Sequence, residues 1–198
     1  MTRPARIVLA TGNAGKVREM QSHLEGAGVE VVAQSAFDLP EAVEDASTFV
    51  ENALIKARHA ARLTGLPAVA DDSGLVVPAL GGAPGVRSAR YAGPSASDVD
   101  NVDKLLGALA GVADRRAWFH CAMVYLAHPD DPTPVIAEGR WTGWIAERPE
   151  GTGGFGYDPV FRIAPDGPTA AQLAPEEKHR LSHRGQALRA LLQRLPWA

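Results

Sequence analysis

An α/β fold with a mixed sheet is what the order of apolar patterns in this chain predicts. Short apolar runs and helical patterns alternate as β-α-β-α-β from Arg6 to Ala70, the arrangement that builds parallel strands joined by crossover helices. Two long β runs, residues 118–127 and 135–146, follow with only the turn-rich His128-Pro129-Asp130-Asp131-Pro132 between them. So short a connection suits an antiparallel pair. A helical pattern then closes the chain.

Each element has its own signal. Ile7-Val8-Leu9-Ala10 after Arg6 is an unbroken apolar run, as expected of a buried strand. It opens into Thr11-Gly12-Asn13-Ala14-Gly15-Lys16, after which the apolar spacing turns helical through Leu24, and Gly26 and Gly28 end the element. Val29 to Ala33 is a second strand. Ser47-Thr48 can cap a helix through about Leu63, with Phe49, Ala53, Ala57 and Ala60 on its inner side and Gly65 as its stop. The third strand, Leu66-Pro67-Ala68-Val69-Ala70, ends in Asp71-Asp72, and Gly74 is placed for an abrupt turn beyond it. Gly81-Gly82-Ala83-Pro84-Gly85 begins a loop that runs to Gly93, and Ser97-Asp98 opens a helix through about Leu109. The closing helix, from about Ser182 to Leu195, turns Ala187, Leu188, Leu191 and Leu192 inward.

At 198 residues the chain suits a single domain, 1–198, with room for two lobes. Its 45% hydrophobic and 22% charged residues are ordinary for a globular protein. A net charge of -3 argues against gripping a nucleic acid polymer through a basic face, yet leaves room for a small anionic ligand. Cys121 is the only cysteine, which excludes an internal disulfide and makes no case for a thiolate zinc site. No stretch has the length of a membrane span, and no signal-type apolar core follows Met1-Thr2-Arg3. The expected location is the cytoplasm, with no membrane partner.

Four segments carry chemistry. Asp71 and Asp72 sit at a strand mouth, where partial dehydration has to be offset by a metal ion, a proton to accept or hydrogen bonds. Successive side chains on a strand face opposite ways, so the two acids do different jobs. Thr11 to Lys16 combines small residues, free N–H groups at a helix start and a lysine, the ingredients of a phosphate site. It is not a Walker A loop, because only two residues separate Gly12 from Gly15 and Val17 follows the lysine. Gly151-Thr152-Gly153-Gly154-Phe155-Gly156-Tyr157-Asp158-Pro159 suits close backbone approach to a flat ligand, with Phe155 or Tyr157 stacking on it. Lys178 and Ser182-His183-Arg184 gather donors at the start of the last helix, fit for anions or carbonyl oxygens. Glu44, near the helix opened by Ser47-Thr48, could share a magnesium ion with Asp72, since that ion takes oxygen from one or two carboxylates plus phosphate. The histidines show no metal-ligand spacing, and no Ser-His-Asp or Cys-His nucleophile stands out.

Taken together, the ordered series resembles the inosine triphosphate pyrophosphatase family. It consists of Thr11-Gly12-Asn13 with Lys16, Phe49-Glu51-Asn52-Ala53 with Lys56-Ala57, Ala70-Asp71-Asp72-Ser73-Gly74-Leu75, Gly85-Val86 with Ser88-Ala89-Arg90-Tyr91, Gly153 to Pro159, and Lys178 with Ser182-His183-Arg184. The resemblance covers nearly the whole chain. It implies an elongated two-lobed α/β fold around a central mixed sheet, with a nucleotide cleft between the lobes. It also implies a magnesium-dependent homodimer that cuts non-canonical purine nucleoside triphosphates (ITP, dITP, XTP) to monophosphate and pyrophosphate.

By position, Thr11, Gly12, Asn13, Ala14, Gly15 and Lys16 would hold the phosphates. Asp72 would bind magnesium and accept the proton of the attacking water, supported by Asp71 and Glu44, while Ser73 touches the substrate. Phe155, Gly156, Tyr157 and Asp158 would line the base and sugar pocket, with Phe155 stacking, and Lys178, His183 and Arg184 would contact the base. Arg87 departs from the family, whose members often carry an aromatic there. Competing readings are a septum-formation-inhibitor (Maf) type pyrophosphatase acting on modified pyrimidine nucleotides, and a non-catalytic nucleotide-binding module. A Rossmann dehydrogenase lacks its Gly-x-Gly-x-x-Gly.

Overall fold

The computed structural model of the chain describes residues 3–11, 21, 28–195 and 197. Six strands form one sheet in the order β2-β1-β3-β4-β5-β6, with β1 Arg6–Leu9, β2 Glu30–Ala33, β3 Ala68–Val76, β4 Arg116–Leu126, β5 Val135–Ile145 and β6 Phe161–Arg162. β1 runs parallel to both β2 and β3, and β6 lies antiparallel on β5. The amide of Ile145, at the end of β5, donates to the carbonyl of Arg115, just before β4. The long pair is therefore antiparallel, and the sheet is mixed as expected.

The chain divides into two compact units: Met1–Asp72 with Cys121–Glu138 and Ala187–Ala198, and Ser73–His120 with Gly139–Gln186. In the first unit, the two-residue alternation of strands sorts the core onto two faces. Ile7, Leu9, Val69, Cys121, Met123 and Tyr125 pack on one side with Ala187, Leu188 and Leu191 of helix α4 (His183–Leu192). Val8, Ala68, Ala70, Val124 and Leu126 pack on the other with Ala53, Ala57, Ala60 and Ala61 of helix α1 (Phe49–Thr64). That stripe of alanines brings α1 close to the strands, and a larger residue there would overfill the contact by about 1–3 kcal/mol. Thr48 and Glu51 cap α1 reciprocally, and Gly65 ends it with a left-handed φ of 68°.

The second unit packs Leu75 and Val77 of β3 and Phe119 of β4 against Val102, Leu105 and Leu109, the first two of these from helix α2 (Asp98–Ala108). An aromatic trio holds its centre: the Phe161 ring lies 4.6 Å from that of Phe119 and 5.2 Å from that of Trp141. Gly143 is obligatory beneath it, because a Cβ there would sit 2.6 Å from the Phe161 ring.

Two expectations are corrected. Gly74 does not turn the chain: it is a buried residue within β3, which continues to Val76. The strand ladder outweighs the conformational freedom that suggested a turn. The closing helix is also shorter than the pattern implied. Ser182 is extended at ψ 151° and ends a separate short helix α3, Pro175–Leu181, before α4 begins.

Candidate active site

In the first unit, the site grows out of strand parity. Ala68 and Ala70 face α1, so Asp72, two residues further on, starts on the same pleat. Asp71 shares the pleat of Val69, on the α4 side, and is 5% exposed. Helix α1 meets Asp72 with two side chains one turn apart. The Asn52 amide, 1% exposed, donates through Nδ2 to Asp72 Oδ2 at 3.1 Å while its Oδ1 accepts from the Ala46 amide at 3.1 Å. Lys56 Nζ sits 2.8 Å from Glu44 Oε2 and 3.5 Å from Asp72 Oδ1. Both oxygens of Asp72 thus face donors, one amide and one ammonium.

Asn52 and Lys56 were not singled out as site residues from the sequence. Their signal was there, since residues four apart on a helix share a face, and this pair borders the alanine stripe. Glu44 does join Asp72, through Lys56. Among the described residues, no three His, Cys, Asp or Glu side chains gather in a metal-holding arrangement. Two carboxylates flanking a cationic position nevertheless make a hard oxygen set of the kind magnesium accepts alongside phosphate. Thr11 bonds back from its amide to the Leu9 carbonyl at 2.8 Å. Gly12, Asn13, Ala14, Gly15 and Lys16 lie outside the described residues.

In the second unit, the Phe155 ring is 56% exposed, and both Lys178 Nζ and Arg184 Cζ lie 5.0 Å from its centroid. A large apolar ring left exposed beside two cations has the chemistry to stack on a flat, polar-edged ligand. Arg184 also donates to Ser73 Oγ at 3.0 Å. Asp158, 4% exposed, does not face solvent. It accepts from the Phe155 amide at 2.8 Å and from Lys178 Nζ at 2.5 Å. Gly154 permits this closure, because at φ 77° any Cβ would run into the Asp158 carboxylate and the Lys178 ammonium.

Tyr157 is 4% exposed and donates to the Ser88 carbonyl at 2.9 Å. Burial pushes its phenol pKa well up, so it remains a donor. Phe155, not Tyr157, is therefore the ring open to a ligand. Gly156 donates its amide to Asp98 Oδ2 at 2.7 Å. His183, 7% exposed, is stacked on Phe119 with centroids 4.8 Å apart and planes 12° from parallel.

The Ham1 family model matches residues 7–194. The dITP/XTP pyrophosphatase of Methylococcus capsulatus is 61% identical over 192 residues, covering 96% of each chain. The Escherichia coli O157:H7 protein of the same name is 57% identical, covering 96% of this chain and 98% of that one. Among solved structures, a HAM1 protein from Coxiella burnetii superimposes with a TM-score of 0.94 at 49% identity, over 98% of this chain and all of that one (100%). The nucleoside-triphosphatase / dITP/XTP pyrophosphatase of Mycobacterium abscessus gives 0.81 at 44% identity, covering 96% and 98%. Matched by the family model over residues 7–194, and more than half identical to these relatives over nearly their whole length, this chain belongs to the Ham1 family.

Proposed function

We propose that the chain is a hydrolase that converts non-canonical purine nucleoside triphosphates (ITP, dITP, XTP) to the monophosphate and pyrophosphate, clearing them from the nucleotide pool. The observation that carries this reading lies in two consecutive residues of β3. Asp72 belongs to the cluster of Asn52, Lys56 and Glu44, while Ser73 is bonded to the arginine that flanks the open Phe155 ring.

Asp72 accepts the proton of the attacking water, and the Asn52 amide orients its carboxylate. Glu44 and Asp72 would hold magnesium, which when bound neutralises phosphate charge and makes coordinated water more acidic. Asp71 supports them from the opposite pleat. Residues Thr11 to Lys16 retain phosphates and orient the anhydride for in-line attack. Phe155 stacks on the base, within a pocket lined by Gly156, Tyr157 and Asp158.

Hypoxanthine and xanthine present an acceptor oxygen at position 6, where adenine presents an amine. Donors from Lys178, His183 or Arg184 pair with the oxygen and oppose the amine. A site built on such pairs can discriminate by about 10⁴-fold. The working form is a homodimer in the cytoplasm.

A panel of ITP, dITP, XTP, ATP, GTP, UTP and TTP with magnesium, reading phosphate and pyrophosphate separately, tests the reading. Faster pyrophosphate release from the pyrimidines would favour the Maf-type alternative, and binding without release the non-catalytic one. Asp72→Asn should abolish turnover while substrate binding survives; near-normal release by that variant removes Asp72 from its role.

A further inference from the structure

The loop that presents Phe155 is fixed by three consecutive residues, each tied to a different place. The Phe155 amide donates to Asp158, the Gly156 amide to Asp98 Oδ2 at 2.7 Å, and the Tyr157 hydroxyl to the Ser88 carbonyl. Asp158 and Tyr157 are both buried, and Ser88 is built into β3 by accepting from the Leu75 amide at 2.9 Å. Only the Asp98 anchor is exposed, and its partner lies 58 residues away in the chain.

Asp98 is not needed to finish its own helix. Ser97 and Asp100 already cap α2 reciprocally, with Ser97 accepting from the Asp100 amide and Asp100 from that of Ser97. The Asp98 carboxylate is therefore left to hold Gly156, whose φ of 58° is a left-handed backbone state that an untethered loop would leave readily. A charged acceptor on a backbone N–H is among the stronger hydrogen bonds, even at the surface.

We propose that Asp98 is a positioning residue for base recognition: by gripping Gly156 it holds the neighbouring Phe155 ring in its open, stacking pose before substrate arrives. This rests on the stacking role given to Phe155 above. A loop ordered in advance spares the ligand the entropy of ordering it, so the contribution falls on binding and not on the chemical step. Stacking also ignores base identity, because every base has a π-face. Loss of Asp98 therefore weakens ITP and ATP alike.

The test is steady-state kinetics of the full-length enzyme on ITP and ATP with the variants Asp98→Ala, Asp98→Asn, Phe155→Ala and the Asp98→Ala/Phe155→Ala pair. Asp98→Ala should raise KM about tenfold with kcat within about twofold, the pattern of lost uniform binding. The ITP-to-ATP ratio of kcat/KM should hold. Asp98→Asn, whose amide oxygen can accept the same bond, should restore most of the loss, and the paired variant should be no worse than Phe155→Ala alone. If Phe155→Ala raises KM and Asp98→Ala does not, the positioning role is overturned while stacking stands. Additive losses in the pair, or a fall in kcat without a rise in KM, overturn it too. If Phe155→Ala itself leaves KM unchanged, the stacking reading falls and takes this inference with it.

Discussion

Replacing Asp158 by Asn probes how the Phe155 loop is held. The carboxylate is 6% exposed and its partner ammonium 20%. The Phe155 amide and Lys178 Nζ share Asp158 Oδ2, so Asn can keep an oxygen for both, but the negative charge opposite the Lys178 ammonium is lost. Breaking a buried pair by removing one charge costs about 3–5 kcal/mol. Lys178 retains some exposure and a flexible stem, so part of its hydration is recovered, which brings the expected cost to about 2–3 kcal/mol. For a chain of this size each kcal/mol lowers Tm by about 2–4 °C, giving a fall of about 4–12 °C by circular dichroism. Adding Lys178→Met removes the uncompensated charge and should recover at least about 1 kcal/mol, since an apolar isostere of an ion pair is often near neutral. A Tm within about 1 °C of the parent for Asp158→Asn, or a double variant no better than the single, would refute the account.

Arg184→Ala should cut the ITP-to-ATP preference in kcat/KM at least about tenfold, and an unchanged ratio removes Arg184 from base reading. Chelating divalent metal should stop pyrophosphate release and added magnesium should restore it; undiminished release in the chelator refutes the metal. Asp131, 7% exposed, accepts from the Ala127 and Thr133 amides, both at 2.9 Å, in the connection between β4 and β5. Asp131→Ala should cost about 1–3 kcal/mol at neutral pH by urea unfolding. Burial pushes the Asp131 pKa up, but the Ala127 and Thr133 donors outweigh it and the net shift is downward. With the folded value below the unfolded one, the contribution is complete above the unfolded pKa and fades as pH falls through the folded value. The gap between parent and Asp131→Ala should therefore shrink by about pH 3, and an equal gap there and at neutral pH contradicts the clasp.

Much of the fold was legible because local and tertiary preferences agree. Thr48, Ser97 and Gly65 sit at helix ends as their side chains and backbone dictate, and the alternation of Ile7, Val8 and Leu9 sorts onto two faces. That Asp71 and Asp72 leave the strand on opposite faces was legible for the same reason. Gly74 misled because a ladder of strand hydrogen bonds overrides one residue's turn preference. The short helix α3 had its own sign, Pro175 followed by two acids and three basic residues, but the stronger pattern after it absorbed the reading. The residues alone left open whether Phe155 or Tyr157 faces a ligand, since the two are near neighbours in a glycine-rich run, and only the resemblance pointed to Phe155; the tyrosine is drawn into the core, its hydroxyl on the Ser88 carbonyl. The anchors Ser88 and Asp98 were hidden likewise, since each acts on a residue far away in the chain.

The sheet's two outer strands are short, four residues in β2 and two in β6, whereas β4 and β5 have eleven each. An unpaired strand is a template for a neighbouring molecule to extend, and the hazard grows with its length. By shrinking its borders the protein offers little for another copy to zip onto. Crowded solutions should therefore be tolerated without fibrous association, and lengthening β6 would be the quickest way to lose that protection.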